Sequence, residues 1–362
     1  MAGIEILNHD VLREIFSYLD IYDRVRMGLV CKKWHNVVEI MMGSIRKMCL
    51  HVTNDDKPGR FSQIHHNVLE ISTNNPRDLK KPWEKFANNL NEIQIKYISY
   101  KRMLPNFYKL LAKSTQLKYA QFMCLKLRSL RLLLEFLPTE NLENLSIDLL
   151  EFDYGGARPE WNHLIGNVLS KTPKLKALEL NSLPISKLSS IGGMETLEAL
   201  FIQMKALPRL NFDMNELRNL KTLCLFCQEH SLADITELMR KCRKLHNVRI
   251  SHMYKLPEDA MNEMISLPNL RCLHLFMTSN TCDWHKFSNL EEIKIRNFQW
   301  LQMTRDQIIS FFQRSKNLKY FDVRSGRHYS FNRLVHQVIR EIGYKNNKDF
   351  WGTRIEFPDI SK

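Results

Sequence analysis

Three sets of side chains in this 362-residue chain have types and spacings capable of chemistry. Cys224 and Cys227, three apart in LKTLCLFCQ, have the spacing of a metal or redox pair. The segment alternates like a strand, where residues three apart point to opposite faces, so two separate strand thiols are the expectation. RKCRK at 240–244 is a compact basic run before Leu245. At a helix end it favours the dipole, and a solvated face is expected there. The third set mixes aromatic and cationic residues: Phe201, Phe226, Arg249, His274, Phe276, Lys294, Arg296, Tyr320 and Arg324. Aromatics beside arginine are the usual make-up of binding hot spots, and a guanidinium forks onto carboxylate or phosphate. This set is expected to bind a partner through an acidic or phosphorylated segment.

What must position the third set is a repeat. An L-x-x-L-x-L-like hexad occurs ten times, beginning at Leu90, Leu117, Leu142, Leu175, Leu197, Leu220, Leu245, Leu270, Leu290 and Leu318. Successive spacings run from 20 to 33 residues, the range of leucine-rich repeats, each a short strand and a returning helix or turn. The fourth and sixth hexad residues point into the core. The third, the fifth and the one after point to a concave face, and every residue of the third set falls at such a place. Segments such as NFYKLLAK, WNHLIGNVLSK, LADITELMRKC, EDAMNEMISL and RDQIISFFQR have helical spacing and are expected to close the convex side. Cys242 lies three residues before its repeat leucine; Ser114, Thr139, Thr172 and Ser315 hold the same offset.

The opening block has another periodicity. Val11, Leu12, Ile15, Phe16 and Leu19 form a helix stripe after Asn8, a good N-cap. A second helix is expected from Asp20, carrying Val25, Leu29 and Val30. A third is expected from Trp34 to about Met48. A block this small rarely buries enough apolar surface to stand alone, so a partner is expected to cover part of it.

LNHDVLREIFSYLDIYDRVRMGLVCKKWHNVV resembles an F-box, with VCKKW at 30–34 its most distinctive part. Asn8 and Ile21 stand where the family usually has proline. With the repeats, the resemblance is to F-box/leucine-rich-repeat proteins, the substrate receptors of Skp–cullin–F-box ubiquitin ligases. It implies an α/β fold, a three-helix F-box followed by a leucine-rich-repeat solenoid with parallel strands on the concave face. It implies adaptor binding through Leu7, Val11, Leu12, Ile15, Phe16, Leu19, Val30 and Trp34, with cullin reached through the Skp-type adaptor. The third set then holds a protein substrate, no cofactor is needed, and the ubiquitin chemistry resides in other subunits. The expected domains are F-box 1–48, linker or degenerate first repeats 49–88, repeats 89–325, and C-terminal cap and tail 326–362. KMCLHV and NVLEIS are candidates for the two degenerate repeats, and FNRLVHQVIREIG for the helix of the cap.

Composition agrees with a folded chain: 44% of residues are hydrophobic and 25% charged. No apolar run is long enough to span a bilayer, the start lacks a secretory pattern and the end lacks a prenylation cysteine, so cytoplasm or nucleus is expected, with no membrane partner. The net charge of +14 is unevenly spread, +1 over residues 1–50 and +6 over residues 301–362. A basic repeat scaffold binding nucleic acid or an acidic protein without a ligase is therefore the alternative, although it leaves VCKKW unused. An enzyme would need a phosphate loop, a metal motif or a nucleophile elbow, and none of these motifs occurs.

Overall fold

A computed structural model of the chain describes residues 7–19, 21–52, 61–65, 68–73, 86–97, 105–124, 126–150, 159–184, 187–189, 194–206, 209–211, 217–229, 233–252, 256–277, 286–297, 304–325, 334, 337–338 and 341. The chain forms two compact units, residues 1–156 with 167–175, and residues 157–166 with 176–362.

The first unit opens with three helices, α1 His9–Ser17, α2 Ile21–Met27 and α3 Lys32–Gly43. The Asn8 side chain accepts from the Val11 amide at 2.9 Å, the expected N-cap. Leu12 and Phe16 of α1 and Val37, Val38 and Met42 of α3 are buried, and Phe16 meets the Trp34 ring edge-on at 5.2 Å. Arg24 is buried as well. Its Nε donates to the Leu19 carbonyl at 2.8 Å and its Nη2 to the Ser17 carbonyl at 2.6 Å, satisfying groups that α1 leaves open at its C-terminus. Two helix expectations change. The second helix ends at Met27, leaving Leu29 and Val30 on the turn that follows. The third ends at Gly43, a poor helix former, and Met48 lies instead in strand β1, Lys47–Val52.

The first unit continues with β2 Phe61–His65, β3 Val68–Thr73, β4 Glu92–Tyr97, β5 Tyr119–Cys124 and β6 Asn144–Leu149. β1, β4, β5 and β6 are parallel neighbours in that order. KMCLHV is thus a strand of the repeat ladder: Lys47 pairs with Glu92, which makes Ile45-Arg46-Lys47-Met48-Cys49-Leu50 a hexad with isoleucine in the leucine place. NVLEIS behaves differently. β3 is parallel to β1 but on the side away from β4, and β2 runs antiparallel beyond it, so the chain steps outward before returning to β4.

The second unit holds β7 Ala177–Asn181, β9 Ala199–Ala206, β11 Thr222–Glu229, β12 Asn247–His252, β13 Cys272–Met277, β14 Glu292–Asn297 and β15 Tyr320–Ser325, parallel neighbours in that order. A side ladder pairs β8 Lys187–Ser189 with β10 Arg209–Asn211 in parallel. Helices follow several strands: Pro105–Leu111, Leu127–Glu135, Pro159–Ser170, Ala233–Lys241, Glu258–Ile265 and Arg305–Arg314. Leu127–Glu135 adds to the segments expected from sequence. The C-terminal helix candidate lies mostly outside the described residues; within it Val338 is buried and Glu341 pairs with Arg305.

Hexad chemistry repeats within each unit. Leu220, Leu223 and Leu225, or Leu270, Leu273 and Leu275, are at most 2% exposed, since positions one, four and six face the helices. The carbonyl at position two accepts the amides of positions two and three of the next strand, as Lys221 does from His246 and Asn247, and Arg46 from Asn91 and Glu92. In several repeats the carbonyl of the residue three before the repeat leucine accepts from that leucine's amide, as Cys242 does from Leu245 and Ser315 from Leu318. That turn explains the offset seen in the sequence.

The second hexad position also forms a charge row. In the second unit Lys221 meets Glu198 at 2.9 Å, while Arg271 at 3.2 Å and Lys319 at 2.6 Å share Glu291. The Lys319 hydrogen bond holds the Glu291 carboxyl below the usual carboxylate range. His246 stands between Lys221 and Arg271, with a buried Nδ1 that lacks a hydrogen bond. His246→Glu places an acid between two cations and is expected to raise stability by about 0.5 kcal/mol, read as a higher urea midpoint that high salt erodes.

Candidate functional site

Two surfaces carry the sequence-predicted residues. On the three-helix block, Val11 and Ile15 lie one turn apart on α1 and are 41% and 44% exposed. Tyr18 at the end of α1, Leu29 and Val30 after α2, and Ile40 on α3 are also exposed, with Leu29 and Tyr18 at 81%. Six large apolar side chains are thus exposed to water on one small block. The eight residues expected to bind the adaptor divide accordingly. Val11, Ile15 and Val30 are exposed, Leu7, Leu19 and Trp34 are half-buried, and Leu12 and Phe16 are buried in the helix packing. Leu12 and Phe16 therefore build the block and do not form its outer surface. Tyr18, Leu29 and Ile40 were not among the adaptor-binding residues expected; Tyr18 extends the Val11–Ile15 stripe by a further turn, a signal present in the spacing.

The second surface is the strand face opposite the helices in the second unit. Arg249 on β12 lies between two rings, its guanidinium carbon 4.8 Å from the Phe226 centroid on β11 and 5.6 Å from that of Phe276 on β13. Lys294 on β14 approaches Phe276 at 5.9 Å. The result is an alternation of ring and cation across four strands, which holds the long cationic side chains in place. Phe201 is half-buried at the register position beside Cys224, two strands from Arg249, and Tyr320 is half-buried beside Glu292. Arg296 and Arg324 are register partners at the ends of β14 and β15; their side chains lie outside the described residues.

His274 departs from expectation. It is 6% exposed, and its Nε2 lies 2.6 Å from Glu292 Oε1, so it is part of the floor of this face and offers no ring to solvent. Glu292 is buried beside it, and Asp322, the register partner of Lys294 two strands away, is buried as well. Sequence reasoning passed over both acids because it looked for cations and rings at these positions.

The thiols are buried in the main. Burial pushes Cys224 up to about 12, with Arg249 pulling down and Glu179 pushing up. Burial likewise puts Cys242 at about 12, and Cys49 and Cys272 at about 11. Cys31 is exposed. Both Cys224 and Cys227 lie in β11, as the alternation implied, and the Cys227 side chain is outside the described residues. Since these folded values exceed the ordinary thiol value of 9.0, stability is intact below that pH and is lost as pH rises toward 11 to 12. Urea midpoints are expected to be level from pH 7 to 8.5 and to fall above pH 9, while a thiol reagent at pH 8 modifies Cys31 first. Among the described residues no group of three or more His, Cys, Asp or Glu is placed to hold a metal ion, and no helix is long and apolar enough to cross a membrane.

Comparison with known proteins bears on the first surface. Residues 4–42 match the F-box domain, so the helical block is an F-box. An F-box/WD-40 repeat-containing protein of Arabidopsis thaliana is 28% identical over 111 residues, covering 26% of this chain and 24% of that protein; the chain thus spans about a quarter of that relative's length. Among solved structures, an internalin from Listeria monocytogenes aligns over 87% of this chain and 77% of its own, with 17% identity and a TM-score of 0.41.

Proposed function

We propose that this F-box chain is the substrate-recognition subunit of a Skp–cullin–F-box E3 ubiquitin ligase. Its F-box holds a Skp-type adaptor and, through it, the cullin; the open strand face of the second unit takes a protein substrate through an acidic or phosphorylated segment. The observation that carries the first half is the set of exposed apolar side chains on an F-box, Val11, Ile15, Tyr18, Leu29, Val30 and Ile40. Full burial of such a side chain contributes roughly 1.5–3 kcal/mol, so covering a half-exposed set on a partner is worth several kcal/mol. The second half is supported by the Phe226–Arg249–Phe276–Lys294 alternation, an aromatic and cationic surface on a rigid frame. In this role the chain binds and positions, and the ubiquitin transfer belongs to other subunits.

The test is co-expression of the full chain with a Skp-type adaptor and cullin. Recovery of a stoichiometric complex at moderate salt is expected. Failure of the wild-type chain to retain the adaptor overturns the ligase role, whatever the repeats bind.

A further inference from the structure

A groove at the turns of the second unit shares no residue with the strand face. It holds about 620 Å³ and is lined by the turns that lead into β13, β14 and β15, in the repeats of Leu270, Leu290 and Leu318. The middle repeat follows the shortest interval of the series, 20 residues after Leu270, and lends the groove only Asn289 and Glu291, so the outer two form its walls. The residue before the repeat leucine is asparagine in all three. At Leu142 and Leu220 the same asparagine is consumed inside the chain. Asn141 Nδ2 donates to the Thr115 carbonyl at 3.0 Å while its Oδ1 accepts from Lys174 at 2.6 Å. Asn219 likewise joins the Glu195 carbonyl at 2.7 Å and Lys244 at 2.8 Å. Asn269, Asn289 and Asn317 are exposed, and among the described residues no partner is hydrogen-bonded to their carboxamides. Around them stand Arg271, Lys316, Lys319 and Glu291, three cations and one carboxylate, a net charge of +2. Glu291 is shared by Arg271 and Lys319, whereas Lys316 has no ion pair among the described residues.

We propose that this groove binds an acidic protein segment in the polyproline II conformation, its main chain held by Asn269 and Asn317 and its carboxylates by Lys316 and Arg271. A carboxamide carries a donor and an acceptor, the complement of a peptide group. The Glu291 amide donates to the Arg271 carbonyl and the Lys319 amide to the Glu291 carbonyl, both at 2.7 Å, which keeps the three turns at strand spacing. Asn269 and Asn317 are thus two spacings apart, about 9.6 Å at ~4.8 Å each. A polyproline II chain repeats every three residues at roughly 3.1 Å per residue, or about 9.3 Å, and shows the same side of its backbone at each repeat. A β-extended chain also covers the gap in about three residues, but its alternation turns opposite sides to the two asparagines. Polyproline II makes no internal hydrogen bonds, so its peptide groups are available to the carboxamides. The net positive charge selects acids, placed at every third residue by the same repeat. The groove lies at the turns, and this assignment does not rest on the substrate reading of the strand face.

The experiment uses the full chain and fluorescence polarisation with a labelled peptide of three Glu-Pro-Pro triplets, which sets each acid and its N–H on one side of a polyproline II helix. Gln-Pro-Pro triplets keep the conformation without the charge, Glu-Gly-Gly triplets keep the charge without the conformation, and a labelled oligouridine carries phosphate charge. The Glu-Pro-Pro peptide is expected to bind at least about 10-fold tighter than each of the other three. Asn269→Ala with Asn317→Ala abolishes that advantage and leaves the melting temperature unchanged, since neither carboxamide is bonded within the described chain. Lys316→Gln narrows the preference for Glu over Gln. Equal binding of the Glu-Gly-Gly peptide overturns the polyproline II assignment, and equal binding of the Gln-Pro-Pro peptide overturns the acidic one. Tighter binding of oligouridine overturns a protein ligand. Release of the Glu-Pro-Pro peptide by Arg249→Glu, with no effect of the asparagine pair, puts the peptide on the strand face and overturns the groove while the substrate reading of that face stands.

Discussion

A chain carrying Ile15→Asp and Val30→Asp is expected to melt where the wild type melts and to lose its adaptor. Ile15 is 44% exposed on α1 and Val30 is 60% exposed after α2, so a carboxylate at either place stays hydrated in the free chain. In a complex that covers both, two charges are desolvated against apolar surface, a cost of several kcal/mol. Adaptor affinity is expected to fall at least about 100-fold, equivalent to about 2.7 kcal/mol. Leu12 is the contrast. It is 1% exposed, and Leu12→Ala is expected to cost about 2–5 kcal/mol of folding stability by leaving a cavity in the helix packing. Titration calorimetry with purified adaptor, paired with thermal melts, separates the two effects. Unchanged adaptor affinity in the double variant would place the docking surface elsewhere on the block.

The second large effect concerns the floor of the open face. His274→Leu is expected to destabilise the second unit by roughly 3 kcal/mol, because Glu292, 9% exposed, then loses the partner 2.6 Å away and keeps its charge out of water. His274→Leu combined with Glu292→Leu removes the stranded charge and is expected to recover most of that loss. Urea unfolding of the two single variants and the double gives the coupling energy directly. If the double variant is no more stable than His274→Leu alone, the pair is not a unit and the floor of this face is held by packing alone.

Much of this fold was legible because hexad chemistry is local. Leucine, alternation and a polar turn three residues earlier recur with little interference, and the strands at Leu90 through Leu318 follow from them. Legibility fails where a neighbour decides. KMCLHV was legible only as a candidate degenerate repeat, because Ile45 replaces leucine and the run abuts α3, whose helical periodicity seemed to continue to about Met48. β3 has the right composition for a serial repeat, but its place on the far side of β1 is set by pairing. In the F-box, Val11 and Leu12 are neighbours of like character, one exposed and one buried. Only the position of α3 against α1 distinguishes them. His274 likewise looked like a surface cation until Glu292, eighteen residues on, was placed beside it.

Between the end of α3 at Gly43 and the start of β1 at Lys47 lie three residues, and the last of them, Arg46, gives its carbonyl to the amides of Asn91 and Glu92 at 2.8 and 3.0 Å. The joint is therefore one more rung of the peptide ladder, with no swivel and no slack. A protein docked on the F-box inherits the orientation of the first strands as a bolted bracket inherits that of its beam. A few glycines inserted at Ser44 would turn that fixed angle into a free one.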